Sequence, residues 1–370
     1  MLRIKKIDAL LVSVPLKQPV KMAGVVVASA ENLVVKVEDT AGFVGWGESA
    51  SAPTMTGELP AGMLAAARYI GSQLIDTEIT DANSIQQLIE PLIYANAGAK
   101  AAIEIALLDL IGQTRQQPLY QVLGGNVRAS ARILTMVAGG TLEQEVENAR
   151  RQYDEGFTAF KVKVGVNSVD LDLARVTAIR SALGPEVQIS ADANQGYSPD
   201  QALVFAKAAQ DAGLDFMEQL VHGHDLTAMA DCAKVSNVPL GADEGIHSID
   251  DIRKHHKMRA ASGGSIKTIK LGGLLPTLEA GHLLSSLGMS VNLAGKVAET
   301  SIASAAIAHL AMVLPKIDWA TSITNQYLAD DVVSKPVSIV DGAVSVPQQH
   351  GLGIQVNEDK LTQYSGKFEL

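Results

Sequence analysis

Short apolar segments alternate with amphipathic segments along the chain from about residue 126 onward. Eight apolar segments follow one another there, separated by helical patterns: RILTMVA, AFKVKVG, VQISADAN, LDFMEQL, VPLGADE, SIKTIKLGG, MSVNLAG and, more weakly, IDWATSI. Strands joined by helical crossovers pair in parallel, and eight such units in about 200 residues predict a (β/α) barrel. A doubly wound open sheet is the alternative, but no glycine fingerprint follows the first strand.

The first third of the chain has a different pattern. The segments LRIKKIDALLVSVPL and ENLVVKVEDTAGFVGWGES predict antiparallel strands with a turn at Asp39–Gly42. Helical patterns then run from Glu58 to about Leu123. The last of these patterns has one apolar stripe, formed by Ile103, Ala106, Leu107, Leu110 and Ile111. Strands followed by helices predict an α+β unit.

Composition and charge exclude several classes of function. The net charge of -10 argues against nucleic acid or an anionic membrane surface as the main partner. The single cysteine, Cys232, rules out an intramolecular disulfide framework and fits a reducing compartment. The N-terminus alternates charged and apolar residues, unlike a signal peptide, and the longest low-charge run, SIASAAIAHLAMVLP, is too short for a membrane span. We therefore expect a cytoplasmic protein.

One charged residue recurs at the end of each of five successive predicted strands: Lys163, Asp192, Glu218, Asp243 and Lys267. The spacings are 29, 26, 25 and 24 residues, each about one β/α unit. Alternation in VQISADAN places Asp192 on the face opposite its apolar residues. Because barrel enzymes build their active sites at the carboxyl ends of the strands, the five side chains should converge on one mouth.

Three carboxylates in one cavity repel each other unless a cation neutralises them. An acidic residue after a strand is often only a helix N-cap, but that explanation does not account for the whole set. Oxygen ligands without a histidine or thiol at these positions favour Mg²⁺, with Mn²⁺ as a substitute. The sequence therefore predicts a metal site at Asp192, Glu218 and Asp243.

The segment FKVKVG places Lys161 and Lys163 on one strand face, about 6–7 Å apart. A solvated edge strand is one explanation, since lysine discourages pairing between sheets. In the metal-site interpretation, Lys163 lies beside an anion, and the charge of Lys161 favours a neutral amine that can act as a base. Such a site suits removal of a proton α to a carboxylate, with Lys267 on the opposite side.

These motifs together resemble the enolase superfamily, and within it the muconate lactonizing enzyme subgroup of the mandelate racemase/muconate lactonizing enzyme family. The matching motifs are KVK at 161–163, ADANQGYS, MEQL, ADE and IKTIKLGG. A second signature covers Ala99–Gly125, with the sequence AKAAIEIALLDLIGQTRQQPLYQVLGG. The resemblance extends over essentially the whole chain.

The resemblance implies a modified TIM-type (β/α)7β barrel at 126–334. An α+β capping domain at 1–125 would cover it, joined by a tail at 335–370 that returns to the cap. Two cap loops, near Lys17–Val27 and Ser49–Gly57, are expected to close over the barrel. A homo-oligomer, either a dimer or an octamer, is also implied.

Site roles follow from the same resemblance. It implies that Asp192, Glu218 and Asp243 bind Mg²⁺ and that Lys163 and Lys267 are the acid/base pair. Strand alternation puts Lys270 on the face opposite Lys267. We therefore do not expect Lys270 to be the acid or the base. Supporting or substrate-binding roles are expected for Lys161, Asn194, Glu244, Glu299 and Lys296.

Departures from the family pattern limit the choice of reaction. Leu220 replaces the usual proline of the EQP motif, and the loop after it carries His222 and His224. Lys296 in NLAGKVAE stands where muconate cycloisomerases have a glycine-rich segment, and ATSITNQYLADD lacks the paired DxD of dipeptide epimerases. Three types of reaction stay open: cycloisomerisation, racemisation or epimerisation, and dehydration. The last two would act on a small amino- or hydroxy-acid derivative. A barrel that only binds a carboxylate is the remote alternative, and it would predict loss of one of the five charged positions.

Overall fold

The structure is a computed structural model that describes residues 2–22, 25–125 and 127–366. Its first part contains the strands β1 (Leu2–Met22), β2 (Val25–Asp39), β3 (Val44–Ala50) and β4 (Glu78–Ile79) and the helices α1 (Pro53–Thr56), α2 (Pro60–Leu74), α3 (Ser84–Ile89), α4 (Ala97–Arg115) and α5 (Leu119–Val122), with a 3₁₀ turn at Glu90–Leu92. The four strands form one antiparallel sheet in the order β3-β2-β1-β4. This unit is the predicted α+β cap.

Helix α4 lies directly on the cap sheet. A Cβ atom at Gly45 or Gly47 of β3 would collide with the carbonyl oxygens of Ala106 and Ala102, so only glycine permits this approach. The sequence predicted one apolar stripe on α4, but the helix is buried on every side from Gly98 onward to Gly112. The cap sheet covers one side of α4 and helices of the barrel cover the other, which explains the difference.

The next part of the chain contains one short strand outside the barrel sheet, followed by the eight barrel strands and the helices between them. The strands are β5 (Ala131–Arg132), β6 (Leu134–Val137), β7 (Ala159–Lys163), β8 (Gln188–Asp192), β9 (Phe216–Glu218), β10 (Leu240–Ala242), β11 (Gly263–Ile266), β12 (Ser290–Ala294) and β13 (Thr321–Ser322). The helices are α6 (Leu142–Asp154), α7 (Val169–Leu183), α8 (Pro199–Ala208), α9 (Leu226–Val235), α10 (Ile249–Met258), α11 (Thr268–Leu271), α12 (Leu274–Ser286) and α13 (Ser301–Val313), with a 3₁₀ turn at Asn325–Tyr327.

Strands β6 to β13 form one parallel sheet in sequence order. A parallel bridge between Ile133 and Thr321 joins its two ends, so the sheet closes. The predicted (β/α)7β barrel with a capping domain is confirmed, and the open-sheet alternative is wrong.

Aromatic rings fill the lower part of the barrel. Phe216 and Trp319 stack with ring centroids 4.3 Å apart and an interplanar angle of 3°. Side chains at Gly241 or Gly263 would collide with the Trp319 ring, so glycine makes room for it. This packing forms a floor, and the sites of barrel enzymes lie at the opposite, carboxyl ends of the strands.

The last segment of the chain contacts the first. Strand β14 (Ala343–Val344) pairs with β5, and helix α14 (Glu358–Tyr364) packs against β1. The Leu352 N–H donates to Asp109 of α4 at 2.7 Å. The tail therefore contacts the cap through Asp109 and β1, while the boundaries 1–125, 126–334 and 335–370 stay a prediction. Within the described part of the chain, no helix is both long and apolar enough to cross a bilayer.

Candidate active site

The five charged residues lie at one end of the barrel. Lys163, Asp192 and Glu218 are the last residues of β7, β8 and β9, while Asp243 and Lys267 directly follow β10 and β11. In the sheet register Lys163 is paired with Asp192, and Asp192 with Glu218. Parallel strands of matched length therefore place these side chains at nearly the same level.

Asp192 lies between the two lysines of the KVK segment. The Lys163 ammonium donates to Asp192 Oδ2 at 2.7 Å, and Lys161 Nζ is 3.6 Å from the same oxygen. Lys161 also donates to Glu218 Oε2 at 2.5 Å. The repulsion expected between the lysines is thus relieved by carboxylates of the neighbouring strands.

Asp243 binds two lysines. Lys267 donates to its Oδ2, and Lys270 donates to its Oδ1 at 2.7 Å and to its backbone carbonyl oxygen. The sequence excluded Lys270 because strand alternation would point it away from Lys267. That expectation is wrong: the strand ends at Ile266, and Lys270 lies in the helical turn α11, where residues three apart share a face.

The three carboxylates therefore have neutralising partners. The sequence argument for a cation assumed that nothing else lay between them, and that assumption is wrong. Each carboxylate accepts from at least one ammonium group: Lys163 and Lys161 at Asp192, Lys161 at Glu218, and Lys267 and Lys270 at Asp243. The geometry is a buried network of alternating charges rather than a bare acidic cluster.

Burial and neighbouring charges shift the pKa values of this network in different directions. Burial opposes ionisation of Asp192 and Asp243, but the adjacent lysines outweigh it and hold both pKa values below the ordinary range. Burial raises the pKa of Glu218. Repulsion from Asp192 and Asp243 acts in the same direction, while the attraction of Lys161 opposes it. Burial disfavours the Lys161 ammonium, but the three carboxylates raise its pKa above the ordinary value.

The pKa values of the two lysines near Asp243 differ. Burial opposes the charge of Lys267, but Asp243 and Glu244 raise its pKa. Burial lowers the pKa of Lys270 despite its contact with Asp243. The two ammonium groups repel each other, which adds to the effect of burial on Lys270.

Asn194 and Glu244 lie beside Lys163. Asn194 Oδ1 accepts from Lys163 at 2.6 Å, and its Nδ2 donates to Glu244 Oε1 at 3.0 Å. Burial, together with the charges of Asp243 and Asp192, raises the pKa of Glu244 to about 7. These contacts orient the Lys163 ammonium toward the centre of the barrel mouth.

Gln219 connects two of the carboxylate loops, a role that the sequence interpretation missed. Its Oε1 accepts from the backbone N–H groups of Asp243 at 2.8 Å and Gly245 at 3.1 Å. The backbone of Gln219 has a positive φ of 36°, a strained conformation of the kind found at functional sites. The polar residue directly after Glu218 in MEQL was the available signal.

A cavity of about 460 Å³ lies between the barrel mouth and the cap, which is the size of a small-molecule site. Cap residues 26–29 and 51–55 line it together with the strand ends. The first of these segments was predicted as a loop near Lys17–Val27. It is instead a hairpin in which β1 extends to Met22 and β2 starts at Val25, residues 23–24 lying outside the described chain.

The other residues considered for substrate binding differ in whether they line the cavity. Lys296 lines the cavity, whereas Glu299 is buried behind Gly295 and does not belong to the described lining. Burial raises the pKa of Glu299 to about 8, and its Oε2 has no hydrogen-bond partner among the described residues. His222 and His224 are exposed with ring centroids 5.3 Å apart, also outside the described lining.

The donor set suits a hard divalent cation. Asp192, Glu218 and Asp243 offer only oxygen ligands, and Glu218 Oε1 is buried without a hydrogen-bond partner in the described part of the chain. Within the described residues, no three acidic, histidine or cysteine side chains are arranged as a finished metal site, because the carboxylates turn toward the lysines. Binding a cation would therefore require those side chains to reorient.

Known proteins resemble the chain over nearly its full length. Residues 144–360 match the family described as enolase C-terminal domain-like, and residues 6–124 match the mandelate racemase / muconate lactonizing enzyme, N-terminal domain. An N-succinyl-L-Arg/Lys racemase of Bacillus cereus is 28% identical over 98% of both chains. An L-Ala-D/L-Glu epimerase of Clostridium acetobutylicum is 33% identical over 93% of this chain and 96% of its own.

A solved structure supports the same relationship. The muconate lactonizing enzyme of Pseudomonas fluorescens, complexed with muconolactone, superposes with a TM-score of 0.94 at 28% identity. The match covers 98% of this chain and 99% of that one. Racemases, epimerases and lactonizing enzymes are thus similar to the chain to nearly the same degree.

Proposed function

Because the chain belongs to the mandelate racemase / muconate lactonizing enzyme family of the enolase superfamily, whose members are divalent-metal enzymes, we propose that it uses Mg²⁺ to remove a proton α to a substrate carboxylate. The proposed enzyme class is isomerase or lyase. A reaction like that of muconate cycloisomerases is the leading candidate. Mn²⁺ is the expected substitute, and a small carboxylate is the substrate.

Lys163 and Lys267 are the proposed acid and base. They come from β7 and β11, with three strands between them, so their ammonium groups enter the cavity from opposite sides. One lysine, in its neutral amine form, accepts the α proton and becomes an ammonium, while the other, already protonated, faces the opposite side of the planar ene-diolate and can return a proton there. Asn194 orients Lys163 through its Oδ1, and the hydrogen bond to Glu244 orients Asn194 in turn.

The carboxylates of β8, β9 and β10 are the proposed metal ligands, Asp192, Glu218 and Asp243. Mg²⁺ held there would stabilise the negative charge that develops on the substrate carboxylate. Lys161 lies one alternation step deeper than Lys163 and contacts Glu218, so its role is to hold this charge arrangement rather than to exchange protons. Gln219 fixes the backbone at Asp243.

The observation that carries the proposal is the placement of Lys163 and Lys267 on opposite sides of three carboxylates at one end of the barrel. A library of carboxylates incubated in D₂O with Mg²⁺ tests it, with mass detection of deuterium at the α carbon. We expect exchange for at least one substrate class. At least one of the variants Lys163→Ala and Lys267→Ala should reduce exchange about a hundredfold or more, for one stereoisomer or for the whole reaction.

Deuterium exchange in Lys163→Ala and Lys267→Ala, compared with each other, distinguishes racemisation or epimerisation from cycloisomerisation or dehydration. A racemase or epimerase should lose exchange of one stereoisomer in Lys163→Ala and of the other in Lys267→Ala. A cycloisomerase or dehydratase should depend on one lysine, with the other acting as a cation beside the anionic intermediate. Lys257→Ala, at an exposed position on α10, is the matched control and should exchange normally.

A barrel that only binds a carboxylate is the competing function. All five charged positions are present and in contact, which disfavours it. Full exchange in the Lys163/Lys267 double variant would contradict the proposed mechanism. Absence of exchange for every carboxylate, together with metal-dependent binding, would favour the binding protein.

A further inference from the structure

Lys296 differs from the other lysines that line the cavity. Lys161, Lys163 and Lys267 each form an ion pair with a carboxylate of the site. The Lys296 ammonium forms neither an ion pair nor a hydrogen bond with any residue of the described chain, although the side chain is half-buried in the same cavity. Burial lowers the pKa of Lys296, because the ammonium loses hydration without gaining a close partner.

Lys296 lies across the barrel from Asp192. It follows β12 by two residues, and β12 is four places from β8 in the order of the eight strands. A substrate whose carboxylate lies between Lys163 and Lys267 must direct its other end toward this wall. Small, apolar and hydroxyl-bearing residues make up most of the wall: Leu134, Met136, Gly295, Ser322, Ile323 and Thr324.

The loop that carries Lys296 is held by both domains. Asn32 of the cap strand β2 donates through Nδ2 to the Ala298 carbonyl oxygen at 2.9 Å. Thr324 donates through Oγ1 to the Lys296 carbonyl oxygen at 2.8 Å and accepts from the Glu299 N–H at 3.1 Å. A ligand that binds Lys296 therefore does not have to order the backbone of this loop.

Two carboxyl groups act on Lys296 from a distance, and neither forms an ion pair with it. Glu31 of β2 lines the cavity but is exposed, so water screens its charge. Glu299 is buried, and burial raises its pKa to about 8, which leaves it mostly uncharged near neutral pH. Lys296 is consequently a cation that faces the cavity without a balancing anion in the described chain.

We propose that Lys296 binds a second negatively charged group of the substrate, at the end remote from the carbon that loses its proton. The substrate class is then a compact dicarboxylate, including amino or hydroxy acids that carry a second carboxylate. A half-buried ammonium gains a charge-assisted hydrogen bond from such a group, which a neutral substituent would not supply. This inference rests on the proposed function, because the metal side of the cavity positions the first carboxylate.

Calorimetry with matched acids tests the assignment. Succinate, glutarate and adipate are compared, in the presence of Mg²⁺, with butanoate, pentanoate and hexanoate, which have the same chain lengths but one carboxylate. We expect at least one dicarboxylate to bind ten times more tightly than its matched monocarboxylate. Lys296→Met should reduce this preference to less than twofold and leave monocarboxylate binding unchanged, while Lys296→Arg should retain it.

The control and the outcomes separate this inference from the proposed function. Lys257→Met removes one exposed positive charge from α10 and should leave the preference intact, which excludes an effect of net charge. Mg²⁺-dependent binding of monocarboxylates without a dicarboxylate preference, or a preference that survives in Lys296→Met, would overturn the role of Lys296 alone. Binding of both kinds of acid that is unaffected by a chelator would instead overturn the proposed metal function.

Discussion

At the scale of single residues, the site is a balance of buried charges. Asp243 accepts from Lys267 and Lys270, and Asp192 lies between Lys161 and Lys163. Removing one partner of a buried ion pair is costly because the other charge keeps its desolvation penalty. The proposed metal ligands and the proposed acid/base lysines are therefore coupled, and a change in one group should alter the others.

The first residue-scale prediction concerns Asp243. We expect Asp243→Asn to weaken Mg²⁺ binding at least tenfold in calorimetry, because an amide is a poorer ligand than a carboxylate and because Lys267 and Lys270 lose their anionic partner. Asp250→Asn, at an exposed ion pair with Arg253, is the matched control. Unchanged affinity in Asp243→Asn would remove this residue from the metal site.

The second residue-scale prediction concerns the pH dependence of stability at Glu299. The pKa of Glu299 is about 8 in the folded protein, above the ordinary value of 4.5. Its contribution to the stability of the fold is therefore fully present below about pH 4.5 and is lost as pH rises through 8. Between pH 5 and pH 9, Glu299→Gln should gain on the order of 1–3 kcal/mol in unfolding free energy relative to the wild type.

Urea denaturation at pH 5, 7 and 9 measures this difference. Glu279→Gln, at an exposed position on α12, is the control and should follow the wild type at every pH. Parallel stability curves for Glu299→Gln and the wild type would show that Glu299 ionises normally in the folded protein.

At the scale of elements, carboxylates of the cap bind the starts of barrel helices. Glu104 of α4 accepts from the Leu274 N–H at 2.5 Å and the Leu275 N–H at 2.9 Å, at the first turn of α12. Gly273, the residue before α12, offers no side chain for this purpose. Glu48 of β3 accepts from the backbone of Thr300 in the same way before α13. The first N–H groups of a helix have no partner within the helix itself, so these helix starts favour an anion.

We expect Glu104→Gln to destabilise the protein by about 1–3 kcal/mol, because the amide can accept at only one atom and leaves a buried N–H group unpaired. Chemical denaturation measures the loss. Glu279→Gln lies on the exposed side of the same helix α12 and should change stability by less than about 0.5 kcal/mol. Equal effects in both variants would mean that Glu104 does not hold α12 to the cap.

At the scale of the whole molecule, cap and barrel enclose the cavity together, with cap residues 26–29 and 51–55 above the strand ends. A cation that binds the folded chain stabilises it by mass action, by about 2.7 kcal/mol at a hundredfold excess over its Kd. We therefore expect Mg²⁺ to raise Tm by several degrees in calorimetry, and a chelator to reverse the change. A Tm that is indifferent to Mg²⁺ and Mn²⁺ at millimolar concentrations would contradict the metal site.

The sequence by itself determined the architecture and the positions of the five strand-end charges. Periodicity of two in the strands and near 3.6 in the helices depends only on neighbours along the chain, and the spacing of 24 to 29 residues follows from the repeated β/α unit. Local patterns of this kind remain valid whatever the rest of the molecule does, which is why the barrel and the capping sheet were predictable.

Only the tertiary structure decided which charges meet. Lys270 reaches Asp243 because β11 ends at Ile266 and a helical turn begins, a boundary that alternation does not reveal. Three other features also depend on elements distant in sequence: the burial of α4 on all sides, the position of Glu299 behind Gly295, and a Lys296 ammonium without a partner in the described chain. Electrostatic energies depend on distance and burial in space, and neither can be read from the order of residues alone.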